Sequence, residues 1–375
     1  MGQSIQLGQE CGSAHPFLRG STINMNILVL HGYSALNRGD GLLVSSTLNI
    51  LREAFGEEIK VTLVASDPDS FSNLELESYP AVPHISGYSK EYMRVLRNIG
   101  KFDLVVGVGG GYLRGGRVVE LAKTSLVHGV QLFAAGRSGV PTVYFPQSVG
   151  PFRYGSRLPM SRLLRRIDRV YGRDDRSMDE FSDVAMIRIP DLAILSKHEP
   201  SFSNDLKDGT PVLSVRAVNG RVPPLVRELA GYLETFDGYI QSETRGNDDS
   251  AAMSALMPRT VLTRNELFDT RTPRVVIAVR LHASLMALQA GHYVIHLAYE
   301  RKGFGAFEDL GLPEYVHNVN KFEPHRVLMQ AHQLATDEGV RRDYARRVGA
   351  ARSTSQRHRK SLIGELRGLA ASGEK

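Results

Sequence analysis

Short apolar runs alternate with longer stretches of helical spacing along the 375 residues, and the alternation starts twice. Asn26–His31 reads NILVLH, an unbroken apolar run closed by Gly32, as expected of a parallel strand buried on both faces. Gly41–Phe55 then places apolar residues at helical intervals. Val61–Ala65, Leu104–Val108, Thr142–Phe145, Arg169–Tyr171 and Met186–Ile189 predict further strands, with a helical stretch at Val118–Arg137 among them. Leu195–Gly209 is polar and rich in turn formers, and reads as a linker. Beyond it the pattern begins again, with strands at Val212–Val215, Gly238–Gln241, Val275–Val279 and Val294–Leu297. Helices are expected at Pro224–Thr235, His282–Ala290 and Lys302–Leu310. Such alternation predicts α/β architecture, with two Rossmann-like domains facing across a cleft. The expected division is an extension at 1–24, domains at 25–200 and 205–330, and a basic helical tail at 331–375.

Composition narrows the functional classes. Cys11 is the only cysteine, which excludes a disulfide within the chain and a thiolate zinc site. The opening residues lack the apolar core of a signal peptide, and no run approaches the roughly 18 apolar residues that span a bilayer, so a cytoplasmic location is expected. Forty-six Lys and Arg against 40 Asp and Glu leave a modest charge of +6, concentrated in Arg341–Arg367. A helix so charged is either a solvated surface or a peripheral contact with an anionic membrane face. Nothing supports nucleic-acid binding.

In open α/β sheets ligands sit beyond the C-terminal ends of the strands, so chemistry is sought there. Asn37, Arg38, Gly39 and Asp40 follow the first strand, with Asp40 suited to cap the helix from Gly41 or to face a ligand. Gly109, Gly110 and Gly111 follow Leu104–Val108 and allow close backbone approach, but Tyr112 in the sixth position from Gly107 breaks the dinucleotide fingerprint. Gln147 follows Thr142–Phe145, and Arg173 and Asp174 follow Arg169–Tyr171. Arg280, Leu281 and His282 follow Val275–Val279 and open a helix, which joins a bidentate cation, a helix N-terminus and a titratable imidazole. Lys302 adds a cation at the end of the next strand. A competing signal is Glu300 and Glu308, spaced like the glutamate pair of retaining GT-B glycosyltransferases.

Taken together, these segments resemble the polysaccharide pyruvyltransferase family over roughly Asn26 to Leu312. The motifs that carry the likeness are Asn37–Asp40, Gly109–Gly111, Gln147–Pro151, Arg173-Asp174 with Ser177, Asp191–Ala193 and above all Arg280–Leu312. Val279 and His292 depart from the family pattern, and Gln241–Ser250 does not align with it. The resemblance implies a GT-B-like fold and transfer of the pyruvyl group of phosphoenolpyruvate onto two hydroxyls of a sugar, in a polysaccharide or its lipid-linked precursor. A cyclic ketal forms and phosphate is released. It also implies donor contacts from Arg280, Leu281 and His282, with Arg216 and Lys302 beside them, His282 as proton donor, and Asp40 or Asp174 orienting the acceptor. Phosphoenolpyruvate is then a co-substrate, and no metal or cofactor is expected. The alternative is a GT-B glycosyltransferase with a nucleotide-sugar donor.

Overall fold

The computed structural model describes residues 25–372 except 198–199, 204, 207–208, 219, 245–246 and 270–271. The extension expected at 1–24, and parts of the linker expected at Leu195–Gly209, lie outside the described residues. Strands β1 (Asn26–Gly32), β2 (Lys60–Ala65), β3 (Glu77–Pro80), β4 (Leu104–Gly107), β5 (Gly110–Gly115), β6 (Thr142–Phe152), β7 (Arg169–Gly172) and β8 (Met186–Arg188) make the first sheet. Its order is β3-β2-β1-β4-β6-β7-β8, with β5 paired to β6. Every pairing is parallel. β1 lies near the middle, and its alternate residues feed two cores: Ile27 and Val29 on one face, Leu28 and Leu30 on the other. That double burial is why its sequence is continuously apolar.

Strands β9 (Val212–Ser214) and β10 (Asp237–Tyr239) open the second half; a small hairpin of β11 (Glu243–Thr244) and β12 (Asn247–Asp248) stands apart. β13 (Val261–Leu262), β14 (Val275–Ala278), β15 (Tyr293–Ala298) and β16 (Val316–Asn318) complete a second parallel sheet in the order β13-β10-β9-β14-β15-β16. Two parallel sheets flanked by helices form the expected Rossmann-like pair, and the ends of β1, β4, β9, β14 and β15 look toward the cleft between them.

The helix expected at Gly41–Phe55 begins earlier, at Arg38, because the cap is Asn37 and not Asp40. The Asn37 side chain accepts from the Gly39 amide, and Asp40, in the third helical position, accepts from Asn37 Nδ2 at 2.8 Å. The stretch Val118–Arg137 is continuous but contains a π-helical segment at Thr124–Gly129, between α-helical Val118–Lys123 and Val130–Ala135.

The basic C-terminal stretch is not a detached tail. The boundary at 331 falls inside a helix, Pro324–Thr336, and the 35-residue helix Glu338–Ser372 crosses both halves. Tyr344 and Val348 enter the core of the second half, while Leu362, Ile363 and Leu366 enter that of the first. Its arginines fasten it there. Buried Arg359 bonds Glu53 at 2.8 Å and the Leu195 carbonyl at 2.8 Å, and Arg341 caps the carbonyls of Leu334 and Ala335 at 3.1 Å. Among the described residues no helix is long and apolar enough to cross a membrane.

Candidate functional site

A cavity of about 370 Å³ lies in the cleft, walled by strand ends and helix starts of both halves. From the first half come His31, Tyr33, Asn37, Asp40, Gly109, Gly110, Gly111, Tyr112, Arg114, Glu120, Lys123, Thr124 and Arg173. From the second come Arg216, Gln241, Arg280, Leu281, His282, Tyr299, Glu300 and Lys302. Six basic side chains face three carboxylates, and the N-termini of helices Arg38–Phe55 and Leu281–Gln289 open on it. Both features favour an anionic ligand.

Of the expected site residues, Asn37, Asp40, Gly109–Gly111, Arg173, Arg216, Arg280, Leu281, His282 and Lys302 all line this cavity. Gln147 and Asp174 do not. β6 continues past Phe145 to Phe152, so Gln147 is an interior strand residue, fully buried and donating to the Val108 carbonyl and the Tyr112 hydroxyl at 2.7 and 2.8 Å. Asp174 caps the helix Asp175–Glu180, accepting from the Ser177 amide at 2.9 Å and from Ser148. Asp174 is thus committed to its cap, and Gln147, whose Oε1 is buried without a partner among the described residues, does not reach the cavity.

Arg280 also differs from its expected role as an anion clamp. Its Nε and Nη2 bond Asp249 at 2.5 and 2.7 Å, and Asp249 is buried. The fork therefore ties β14 to the segment after β12, rather than standing open for a phosphate. Arg173 is likewise paired, with buried Asp191 at 2.5 Å. Arg216 lies against Tyr299, its Cζ 4.6 Å from the ring centroid and its Nη1 bonded to the phenol at 2.6 Å. Lys123 stacks over Tyr33 at 5.0 Å and has no carboxylate partner among the described residues. Lys302 pairs with Glu300 at 2.9 Å.

Burial would raise the carboxyl of Glu300, but Lys302 and Arg114 outweigh it and hold the group at about 2. Glu308 is exposed and does not line the cavity. The glutamate pair suggested by the spacing is therefore not assembled at this site.

Two titratable groups stand out. Burial pushes Asp40 up to about 6, against the pull of Lys302, Asn37, Arg280 and Lys123. Burial lowers His282 to about 4; Asp191 raises it, while Arg173, Lys302 and Arg280 lower it further. In the unliganded cavity His282 is thus neutral at pH 7, whereas the proton-donor role expected from the sequence needs the imidazolium. A bound anion would favour that charged form and move the group back up. Its Nε2 is buried with no hydrogen-bond partner among the described residues.

The two halves touch at the imidazole. A Cβ on Gly39 would lie 2.5 Å from His282 Nδ1 and 2.8 Å from its Cβ. Gly39 occupies a helical position where alanine fits the backbone, but the Cβ of His282 as well as its ring must shift to make room. Gly39→Ala should lower turnover by about 10²-fold through misplacement of His282, while the protein stays folded. Turnover and the melting curve, measured together, check this; unchanged turnover would show that the contact does not position the ring.

Several cavity residues lay outside the sequence reading. Glu120, Lys123 and Thr124 share one helical face at i, i+3 and i+4, a spacing that could have found them. Gln241, and Asp249 behind Arg280, fall in the polar stretch that carries no periodicity. That stretch closes the cleft: Ser242 forms a β-bridge with Asn37, and Arg38 Nη1 bonds the Tyr239 hydroxyl at 2.5 Å.

The comparisons with known proteins bear on the fold and the family. Among solved structures, an O-GlcNAc transferase from Thermobaculum terrenum is 16% identical with a TM-score of 0.53, and the match covers 94% of this chain and 68% of that one. A putative UDP-N-acetylglucosamine 2-epimerase from Listeria monocytogenes is 13% identical with a TM-score of 0.52, covering 91% and 97%. A UDP-GlcNAc 2-epimerase from Neisseria meningitidis is 12% identical with a TM-score of 0.50, covering 91% and 99%. At such identities the likeness is one of fold, the two-domain GT-B type. No curated protein matches the chain. A model of the polysaccharide pyruvyl transferase family matches residues 37–252, more than half of the sequence, from the first helix cap through the segment that holds Asp249. On that match the chain belongs to the polysaccharide pyruvyl transferase family.

Proposed function

We propose that the protein transfers the pyruvyl group of phosphoenolpyruvate onto two hydroxyls of one sugar, forming a cyclic ketal and releasing phosphate. The observation that carries this reading is that Asp40 from one half and His282 from the other line one cavity together with six basic side chains. Phosphoenolpyruvate brings two anionic groups, and the N-terminus of helix Leu281–Gln289 with Arg216, Lys302 and Lys123 supplies donors for both. Binding that charge beside His282 favours the imidazolium, which delivers a proton to the methylene carbon. The first sugar hydroxyl attacks the resulting cationic centre, and Asp40 accepts its proton. Attack of the second hydroxyl closes the ketal as the carbon–oxygen bond to phosphate breaks. One hydroxyl proton ends on the new methyl group and the other on phosphate. These steps are drawn without a metal or a cofactor.

The acceptor is a polysaccharide or its lipid-linked precursor. Val118 and Val119, exposed by 66% and 80%, sit on the same helix as Glu120 and Lys123 at the cavity wall. An apolar surface there suits an acceptor presented from a membrane. No observation favours the nucleotide-sugar alternative over this one, since Glu300 and Glu308 do not meet.

Asp40 accepts a proton only when ionised, so turnover should fall as pH drops through about 6. Asp40→Asn should remove that acidic limb and lower turnover by about 10²-fold or more. A limb that persists in the variant would assign the base elsewhere. The reading as a whole is tested by incubating the protein with phosphoenolpyruvate and bacterial glycans, following phosphate and the mass of the ketal. Stabilisation by nucleotide sugars but not by phosphoenolpyruvate in thermal melts would overturn it.

A further inference from the structure

A buried chain of hydrogen bonds runs behind the cavity wall. His31 Nε2 meets the Tyr144 hydroxyl at 2.7 Å, His31 Nδ1 meets His128 Nδ1 at 3.2 Å, and His128 Nε2 meets the Tyr33 hydroxyl at 3.0 Å. Tyr144 is fully buried, while Tyr33 is partly exposed and lines the cavity. The sequence reading attached no role to any of the four. Burial holds both imidazoles neutral: His31 stays well below its ordinary value, helped by His128, and His128 falls to about 3, helped by Lys123.

Two neutral imidazoles carry one N–H each, so one of the two facing Nδ1 atoms bears hydrogen and the other accepts. The chain then has only two possible directions. In one, Tyr33 donates inward and His31 donates to Tyr144, whose own proton is left without an acceptor. Tyr144 has no other polar partner among the described residues, and the nearby Tyr92 hydroxyl is itself unbonded. Stranding a buried donor is costly. In the other direction, Tyr144 donates to His31, His31 Nδ1–H donates to His128, and His128 Nε2–H donates to Tyr33.

We propose that the buried end sets the direction, so that the Tyr33 hydroxyl is held as a hydrogen-bond donor into the cavity and binds an oxygen of the sugar acceptor. Tyr33 feels both Asp40 and Arg114 electrostatically. A donor beside a proton acceptor suits two neighbouring hydroxyls, one receiving a hydrogen bond from Tyr33 as the other gives its proton to Asp40. His31, His128 and Tyr144 are positioning residues. The backbone supports such a fixed arrangement: His31 adopts φ of 68° at the end of β1 and donates its amide to Gln131 Oε1 at 2.9 Å.

The acceptor part rests on the pyruvyl transfer reading, and the direction of the chain does not. The direction is tested on the full chain, without substrate, by 15N spectroscopy of labelled histidines at pH 7. Expected are Nδ1–H at His31 and Nε2–H at His128. Tyr144→Phe should leave both tautomers unchanged, because the opposite direction would still strand a buried donor, His31 Nε2–H, whereas Tyr33→Phe, which takes away the acceptor of His128 Nε2–H, should weaken the preference. Opposite tautomers or an imidazolium at either site in the wild type would overturn the proposal, even if Tyr144→Phe fails to fold, and so would reversed tautomers in a folded Tyr144→Phe protein. Tyr33→Phe should also raise the acceptor KM about tenfold, with a smaller change in kcat. An unchanged acceptor KM in an active enzyme would remove Tyr33 from acceptor binding and leave the transferase reading standing.

Discussion

His282→Ala should lower turnover by about 10²-fold or more, with the melting temperature little changed. The imidazole opens helix Leu281–Gln289 with its Nε2 buried and unpartnered among the described residues, so its removal takes away a chemical group without leaving a buried polar atom behind. The pH profile carries a second, independent prediction. Without ligand, burial and three nearby cations hold His282 at about 4. If donor charge raises it, the basic limb of kcat, which reports the substrate complex, should lie well above 4 and disappear in His282→Ala. The acidic limb should remain, because it belongs to Asp40, which stands at about 6 without ligand and is raised by the same donor charge. Near-normal turnover in a folded His282→Ala protein would remove the residue from the chemistry. Loss of activity with the basic limb intact would instead make it a binding group.

The sequence announced the sheets more clearly than the site. Strands β1, β4, β14 and β15 are buried on both faces, so their apolar runs are unbroken and easily recognised. The rule that ligands lie beyond strand ends then led to Asp40, Gly109–Gly111 and His282, which line one cavity. It failed at Gln147 because β6 runs seven residues beyond Phe145, which turned a presumed loop residue into a core one. It failed at Asp174 for a different reason. Asp174 with Ser177 three residues later is also the pattern of a helix cap, and capping won. Arg280 does line the cavity, but its partner could not be read. Asp249 sits 31 residues earlier, in a polar segment without periodicity, and only the fold brings the two together. The chain Tyr144–His31–His128–Tyr33 was invisible for the same reason, since its bonded partners are separated by about a hundred residues.

Asp249→Ala should destabilise the protein by about 3–5 kcal/mol, the cost of leaving a buried guanidinium without its counter-ion. Both partners are nearly sealed, with side-chain exposures of 9% for Arg280 and 1% for Asp249, so solvent cannot substitute for the lost carboxylate. Chemical denaturation would show the change as a shifted midpoint. The same pair decides what Arg280 does for the reaction. If its role is to hold β14 and the start of helix Leu281–Gln289 against the segment that ends at Asp249, Arg280→Lys should lose stability as well as activity, because a single ammonium cannot replace the two-point contact. Replacing both members, Arg280→Met with Asp249→Leu, should recover much of the stability lost by either alone, since no buried charge then lacks a partner. Activity need not return with it. A double variant that regains both stability and donor KM would confine Arg280 to holding the fold, whereas stability regained with donor saturation still weakened would place part of its guanidinium on the donor.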